Sequence, residues 1–299
     1  MKIRLNPIVK KDLQVAARSM RLSWGLFGFE ALLTMAFLMA LAIIQEETNS
    51  IYYSSGNVYG QLVYLFPVLA VVQVCIVALI VPIITASSIS GERERQTLDI
   101  MLTTCMSPFS IVLGKVISAV IRILFFVVAG LPIMALSFVV GGVSWSNLFY
   151  FLLAIILLSV FSGSIGILCS ALCRKSITAV IMSFVFYSVI YGMTFVPMIT
   201  MLIWGNGYAG ESLLFLLFNP MVFFEEFFAQ IMTDTSLMAE ASFSIDDAGI
   251  ITCFLAQGKL WMFVSAACIF FLSLLFMHMA AWKLNPMNSF SGKRPDKKK

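Results

Sequence analysis

An all-α membrane protein of six spans is the fold class this chain predicts, from long apolar runs, scarce charge and basic residues confined to one side. Its residues are 61% hydrophobic and only 11% charged, with a mean hydropathy of +0.99. A soluble domain carries about 25% charged residues. Lipid must therefore be the solvent for most of this surface. Six apolar runs are long enough to cross a hydrocarbon layer of about 30 Å as helices: Trp24 to Ile44, Leu62 to Ile89, Val116 to Val140, Leu148 to Leu172, Ile177 to Trp204 and Leu260 to Trp282. Backbone groups find no water partner there, so each run must close its hydrogen bonds internally.

Charge sets the orientation, because Lys and Arg are retained on the cytoplasmic side. Of the 19 basic residues, only Lys259 falls outside four clusters that this topology puts on one side: the N-terminal segment, the second-to-third and fourth-to-fifth connections with their flanks, and the tail. Glu46, Glu47, Glu211, Glu225, Glu226, Asp234, Glu240, Asp246 and Asp247 fall on the other side. The expected location is the cell membrane, multi-pass, with both termini cytoplasmic. The net charge of +4 traces a membrane rim. It favours anionic lipid headgroups as partners and gives no reason to expect nucleic acid. The first apolar run follows a charged stretch and is too long for a cleavable signal, so it is expected to remain in the protein.

The first element, residues 1–23, opens with Asn6-Pro7 as N-cap and N1. Helical spacing puts Lys11, Gln14, Arg18 and Arg21 on one face and Val9, Leu13, Ala16, Met20 and Trp24 on the opposite one. That is a basic amphipathic helix lying in the inner interface. A plain juxtamembrane anchor is the simpler account of the same pattern.

The spanning domain covers 24–282. Its first outer loop, Gln45 to Gln61, is polar and short. After the second span comes a charged stretch, Ser90 to Pro108, which read as a helix places Leu98, Met101, Leu102 and Cys105 on one face and Glu92, Arg95, Gln96, Asp99 and Thr103 elsewhere. Ser107-Pro108 restarts the chain as N-cap and N1. Within the third span, Gly130-Leu131-Pro132 predicts a bend or a packing adjustment. Ser159, Ser162, Gly163, Ser164, Gly166 and Ser170 in the fourth span form a small-residue cluster that suits close helix approach, between two chains or two spans of one chain. Pro197 marks another possible bend in the fifth span.

Between spans five and six, Leu213 to Phe218 and Met221 to Ile231 flank Asn219-Pro220. Both pieces are too short to cross, so residues 211–232 predict a half-inserted outer helical hairpin with Glu225 and Glu226 in its second arm. Residues 283–299 form a basic cytoplasmic tail.

Catalytic chemistry is sparse. No G-x-x-x-x-G-K-[ST] loop, H-E-x-x-H, C-x-x-C or G-x-S-x-G occurs, and His278 is the only histidine. Cys169 and Cys173 lie one helical turn apart without a third ligand type nearby, which fits packing better than metal binding. Neither a catalytic residue, a cofactor nor a metal site is expected in this chain. Three ionisable residues, Glu30, Arg122 and His278, sit roughly 6 to 9 Å inside the inner boundary at 1.5 Å per residue. A buried charge there costs at least about 2.5 kcal/mol. A Glu30–Arg122 ion pair with His278 nearby satisfies it; so does Arg122 reaching the headgroups while Glu30 faces a wet vestibule.

Taken together, the six spans, the basic leading helix, the Glu-Arg-rich connection and the half-inserted hairpin resemble an ABC-2 type transporter permease along nearly the whole chain. The motif resemblance lies in Glu92-Arg93, Thr97-Leu98, Met101-Leu102 and Ser107-Pro108. The resemblance implies a cytoplasmic coupling helix at 91–107, with Glu92, Arg93, Glu94, Arg95, Thr97, Leu98, Met101 and Leu102 facing an ATPase. It implies two copies of a separate ATP-binding cassette subunit that hold ATP and Mg, a second permease chain, identical or homologous, and an outer gate that includes Asn219, Pro220, Glu225 and Glu226. Export is the direction that fits most members. Competing readings are a secondary transporter using Glu30, Arg122 and His278, against which stands the lack of inverted repeats, and a non-transporting ATPase-linked scaffold or sensor. A membrane enzyme lacks a nucleophile, base or metal constellation.

Overall fold

The computed structural model describes residues 7–50, 65–98, 107–141, 145–204, 212–233, 254–255 and 259–285. Every element with described bounds is helical: α1 Pro7–Ala17, α2 Met20–Ser50, α3 Leu65–Glu94, α4 Pro108–Gly141, α5 Trp145–Leu172, α6 Ser176–Trp204, a short 3₁₀ helix Ser212–Phe218, α7 Pro220–Thr233 and α8 Leu260–Leu284. Six of them, α2 to α6 and α8, are long and apolar enough to cross a membrane. Each contains most of one run predicted from hydropathy, and the largest extension is the start of α4, which begins at Pro108 and not at Val116.

α5 is the central rod, and the small residues of its second half explain why. An added Cβ on Gly166 would collide with the Thr85 side chain and come within 3.1 Å of the Ala86 backbone nitrogen. Nothing larger than glycine lets α3 approach so closely. One turn further on, the Ser170 hydroxyl accepts hydrogen bonds from the backbone N–H of Ile89 (3.0 Å) and of Ser90 (2.8 Å). Two parallel helices are thus joined through hydroxyl and backbone groups at a fully buried position. The cluster read as an interface therefore joins two spans of one chain.

Gly130 performs a similar service between α4 and α2: a Cβ there would sit 2.9 Å from Leu33 Cδ1 and 3.3 Å from Phe29 Cε1. Phe29 also meets Phe126 edge-on at 5.6 Å. The helix continues through Pro132 to Gly141. α2 and α6 lie at the periphery and present many large apolar side chains outward, among them Leu32, Met35 and Ile43 on α2 and Ile181, Val185 and Val189 on α6. In a bilayer those faces meet acyl chains at no hydrophobic cost.

Packing assigns the connections to two ends. α1 packs on α4, and the end of α3 meets the α5–α6 turn, so these share one end, called the basic end below. The 3₁₀ helix and α7 lie at the other end against α6 and the start of α8.

Two short helices flank Asn219-Pro220, the 3₁₀ helix Ser212–Phe218 and α7. Asn219, fully buried, ends the 3₁₀ helix and begins α7: its Oδ1 accepts from Met221 N–H (2.9 Å) and its Nδ2 donates to Thr194 Oγ1 of α6 (2.8 Å). Pro220 takes the first helical position, where no donor is needed. The Leu217 carbonyl accepts from Ser265 Oγ at 2.8 Å, and Leu216, Leu217, Val222 and Trp261 close a small apolar core around the joint.

The charged connection after span two departs from expectation. The segment from Ser90 is not one helix: α3 runs on to Glu94, and the backbone then turns over Arg95 to Thr97, with Leu98 helical again. The hydrogen bonds state the reason. Thr97 N–H donates to Glu92 O at 2.9 Å and Gln96 N–H to Arg93 O at 3.1 Å, while Gln96 sits at φ 58°. That pair of bonds around one left-handed residue is a Schellman C-cap, here with glutamine where glycine is usual. Met101 and Leu102, with the rest of 99–106, lie outside the described residues. Ser107 caps α4 as expected, its Oγ accepting from Ser110 N–H at 3.3 Å.

Candidate functional site

Glu92, Arg93 and Glu94 occupy the last turn of α3, where successive residues point about 100° apart. Each reaches a different element. Glu92 Oε1 accepts from Lys115 Nζ of α4 at 2.7 Å, and Lys115 also meets Asp12 Oδ2 of α1 at 3.1 Å. Arg93 turns the other way and donates to the carbonyls of Cys173 (2.8 Å) and Ala171 (3.3 Å), which the end of α5 leaves without helical partners. Glu94 accepts from the backbone N–H (2.8 Å) and the hydroxyl (2.9 Å) of Ser176, the first residue of α6. A cation on a helix C-terminus and an anion on a helix N-terminus both complement the helix dipole.

Electrostatically the first arm is crowded. The Lys115 side chain is only 6% exposed, and Asp12 and Glu92 are 14% and 16% exposed. One ammonium faces two carboxylates, and Arg122, about two turns along α4, lies in Coulombic reach of Asp12. The second Glu92 oxygen is buried without a hydrogen-bond partner. Such a cluster is high-stakes: loss of its single ammonium leaves like charges facing each other in a poorly solvated place.

The remaining residues of the connection separate by exposure. Arg95 and Thr97 are exposed, whereas Leu98 is buried in the main core. The connection is therefore gripped on both flanks of its turn, by polar contacts before it and by one apolar anchor after it.

The intramembrane charge layer is not assembled. Among the described residues no ion pair joins Glu30 to Arg122; Glu30 Oε1 and Arg122 Nε have no hydrogen-bond partner. Equal depth failed to bring them together because they face different directions. Phe29 and Leu33 turn α2 inward, so Glu30 lies with Phe27, Thr34 and Leu38 on the outer side. The carboxylate whose field acts on Arg122 is that of Asp12 on α1, and His278 is exposed on α8.

At the basic end Lys11 on α1 and Arg18 in the turn after it are exposed, and the side chain of Arg21 lies outside the described residues. In the hairpin Asn219 and Pro220 are buried, Glu225 is exposed, and Glu226 is buried and accepts from Gln230 Nε2 at 3.0 Å. Cys169 is buried and Cys173 half-buried, both as thiols. Among the described residues no three His, Cys, Asp or Glu side chains group as metal ligands.

Sequence reasoning singled out Glu92, Arg93 and Glu94 but missed Asp12, Lys115 and Ser176, the groups that hold them. One signal was present: Asp12 is the single acid in an otherwise basic helix, a residue type that such a helix would not carry for lipid contact. A family model described as an ABC-2 family transporter protein matches residues 7–283. No curated protein matches the chain.

Proposed function

The chain belongs to the ABC-2 transporter family, and from that membership we propose that it is the permease subunit of an ATP-driven exporter whose nucleotide is bound by a separate cassette subunit. On this reading two permease chains, identical or homologous, line the pathway in the cell membrane. Both termini are cytoplasmic, and two ATPase subunits bind ATP and Mg beneath them.

One observation carries the coupling part of this reading: three consecutive residues at the end of α3 hold α1 with α4, the end of α5 and the start of α6. A displacement applied to the connection after Glu94 cannot remain local. It must either move those helices together or break about five polar contacts, every one of them made by a charged side chain. The permease supplies the lever, and the difference in free energy comes from the nucleotide cycle of its partner. In this scheme the exposed Arg95 and the 99–106 segment are what the ATPase grips. The hairpin of the 3₁₀ helix and α7 gates the opposite side.

Copurification from native membranes is the first test. A tagged permease should retain a soluble cassette ATPase, and sealed vesicles containing both should move cargo only with hydrolysable ATP. Glu94→Gln with Arg93→Gln should insert normally yet weaken ATPase stimulation at least tenfold. Retention of full coupling in that double variant, or absence of any cassette partner, would overturn the proposal.

A further inference from the structure

The two faces of α1 have different neighbours. Ile8 and Val9 are buried, and Asp12, the only acid in the helix, is engaged by Lys115. The opposite side carries Lys10, Lys11, Gln14, Val15 and Arg18, which line one shallow groove of about 290 Å³. All five are exposed, and neither lysine nor Arg18 forms an ion pair among the described residues. Because the helix's own carboxylate is consumed inside, this groove presents three like charges that no acid pairs with among the described residues.

The surroundings indicate the chemistry of the missing partner. Val15, 66% exposed, lies among the cations, and at the start of the first span Met20 and Trp24 are 75% and 70% exposed, while Leu22 between them packs inward. A dissolved anion gains nothing from apolar neighbours. A bilayer interface offers phosphate at one depth and acyl chain just below it, and exposed tryptophan is enriched at that level.

We propose that the Lys10, Lys11, Gln14 and Arg18 groove holds the phosphate-bearing headgroups of anionic phospholipid. This relies on the proposed function only for a span beginning near Trp24, and not on an ATPase or on transport. With lipid on one face and the Lys115 bridge on the other, α1 is clamped at the height of the Glu92 contact. Lipid charge then bears on the same network that holds the end of α3.

The test is binding of single phosphatidylglycerol and phosphatidylcholine molecules to the full-length, detergent-purified permease by native mass spectrometry. The wild-type chain should prefer phosphatidylglycerol, and each neutralised cation should weaken that binding about fivefold, as expected for roughly one unit of surface attraction per basic residue. Lys10→Gln/Lys11→Gln/Arg18→Gln should abolish the preference, and Lys10→Arg/Lys11→Arg/Arg18→Lys should keep it. Arg174→Gln/Lys175→Gln, exposed elsewhere at the same end, should leave it unchanged. Triple neutralisation that alters the affinity less than twofold, or equal loss in the Arg174/Lys175 control, would overturn the assignment. So would displacement of phosphatidylglycerol by inorganic phosphate beyond that by chloride at equal ionic strength, which would mark a free-anion site. Displacement by an added cassette ATPase would assign the face to protein instead.

Discussion

Lys115 Nζ stands 2.7 Å from Glu92 Oε1 and 3.1 Å from Asp12 Oδ2, so a single buried ammonium joins α1, α3 and α4 at the basic end of the bundle. Removing it is not equivalent to removing either acid. Lys115→Met leaves two carboxylates with little solvent, and breaking a buried pair in this way costs about 3 kcal/mol or more. Glu92→Gln leaves the ammonium one carboxylate and should cost roughly 1 kcal/mol. Melting of the detergent-solubilised protein should therefore rank wild type, then Glu92→Gln, then Lys115→Met. Adding Glu92→Gln to Lys115→Met should restore part of the loss. An additive double variant would show that the two residues are not energetically coupled.

At Gln96 the backbone is left-handed, φ 58°, inside a Schellman cap that a glycine would adopt without steric penalty. Gln96→Gly should keep the turn and stabilise it by up to about 1 kcal/mol, since the left-handed conformation costs an L-residue about that much. Gln96→Pro should destroy it, because proline fixes φ near −65° and lacks the N–H that Arg93 O accepts. Thermal stability and hydrogen exchange at Thr97 N–H would read both outcomes. Equal stability of the glycine and wild-type chains would mean that the strain is relieved elsewhere.

Within the small-residue cluster of α5, two glycines one turn apart should behave differently. A Cβ at Gly163 meets Thr85 Cγ2 at 3.6 Å and two valines at 3.7 and 3.8 Å, all ordinary contacts. One at Gly166 runs into Thr85 and the Ala86 backbone. Gly163→Ala should change stability by less than about 0.5 kcal/mol, whereas Gly166→Ala should cost about 1 to 3 kcal/mol by overpacking. Comparable melting temperatures for the two would show that α3 yields at Thr85.

The contrast between these sites explains what was legible in the chain beforehand. The spans, their number and the two short helices around Asn219-Pro220 follow from quantities local in sequence: an apolar run of sufficient length, or an Asn-Pro step between two runs that are too short. Gly166 could be recognised as a close-approach residue, because helices in lipid pack through small side chains. The partners of charged residues were not legible. Lys115 and Asp12 are 103 positions apart, and Ser176 and Glu94 are 82 apart. Whether two such groups meet depends on the rotation of each helix about its axis. Depth alone allowed a Glu30–Arg122 pair as readily as two separate side chains; rotation set by Phe29 and Leu33 turned Glu30 outward. The end of α3 was misread for a related reason. Its charged residues resemble the start of a separate surface helix, and only the α5–α6 turn and Lys115 show why the span can carry them.

Asn219 supports two prior structures at once, capping α7 through Oδ1 and holding Thr194 of α6 through Nδ2. Its substitutions should therefore separate the two roles. Asn219→Ser keeps an acceptor for the Met221 N–H and loses the bridge to Thr194. Asn219→Ala loses both and leaves a buried amide unpaired, at about 0.5 to 2 kcal/mol for the cap alone. Thr194→Val should then lower stability in the wild-type background and add little in Asn219→Ser, since the bridge is already absent there. Amide exchange over 221–224 should rise in the alanine variant and stay near the wild-type level in the serine variant. If the hairpin serves as the outer gate, loosening its side-chain hydrogen bond to α6 should raise passive leak through reconstituted vesicles in both variants. A leak confined to Asn219→Ala would trace the gate to the helix cap and not to the bridge.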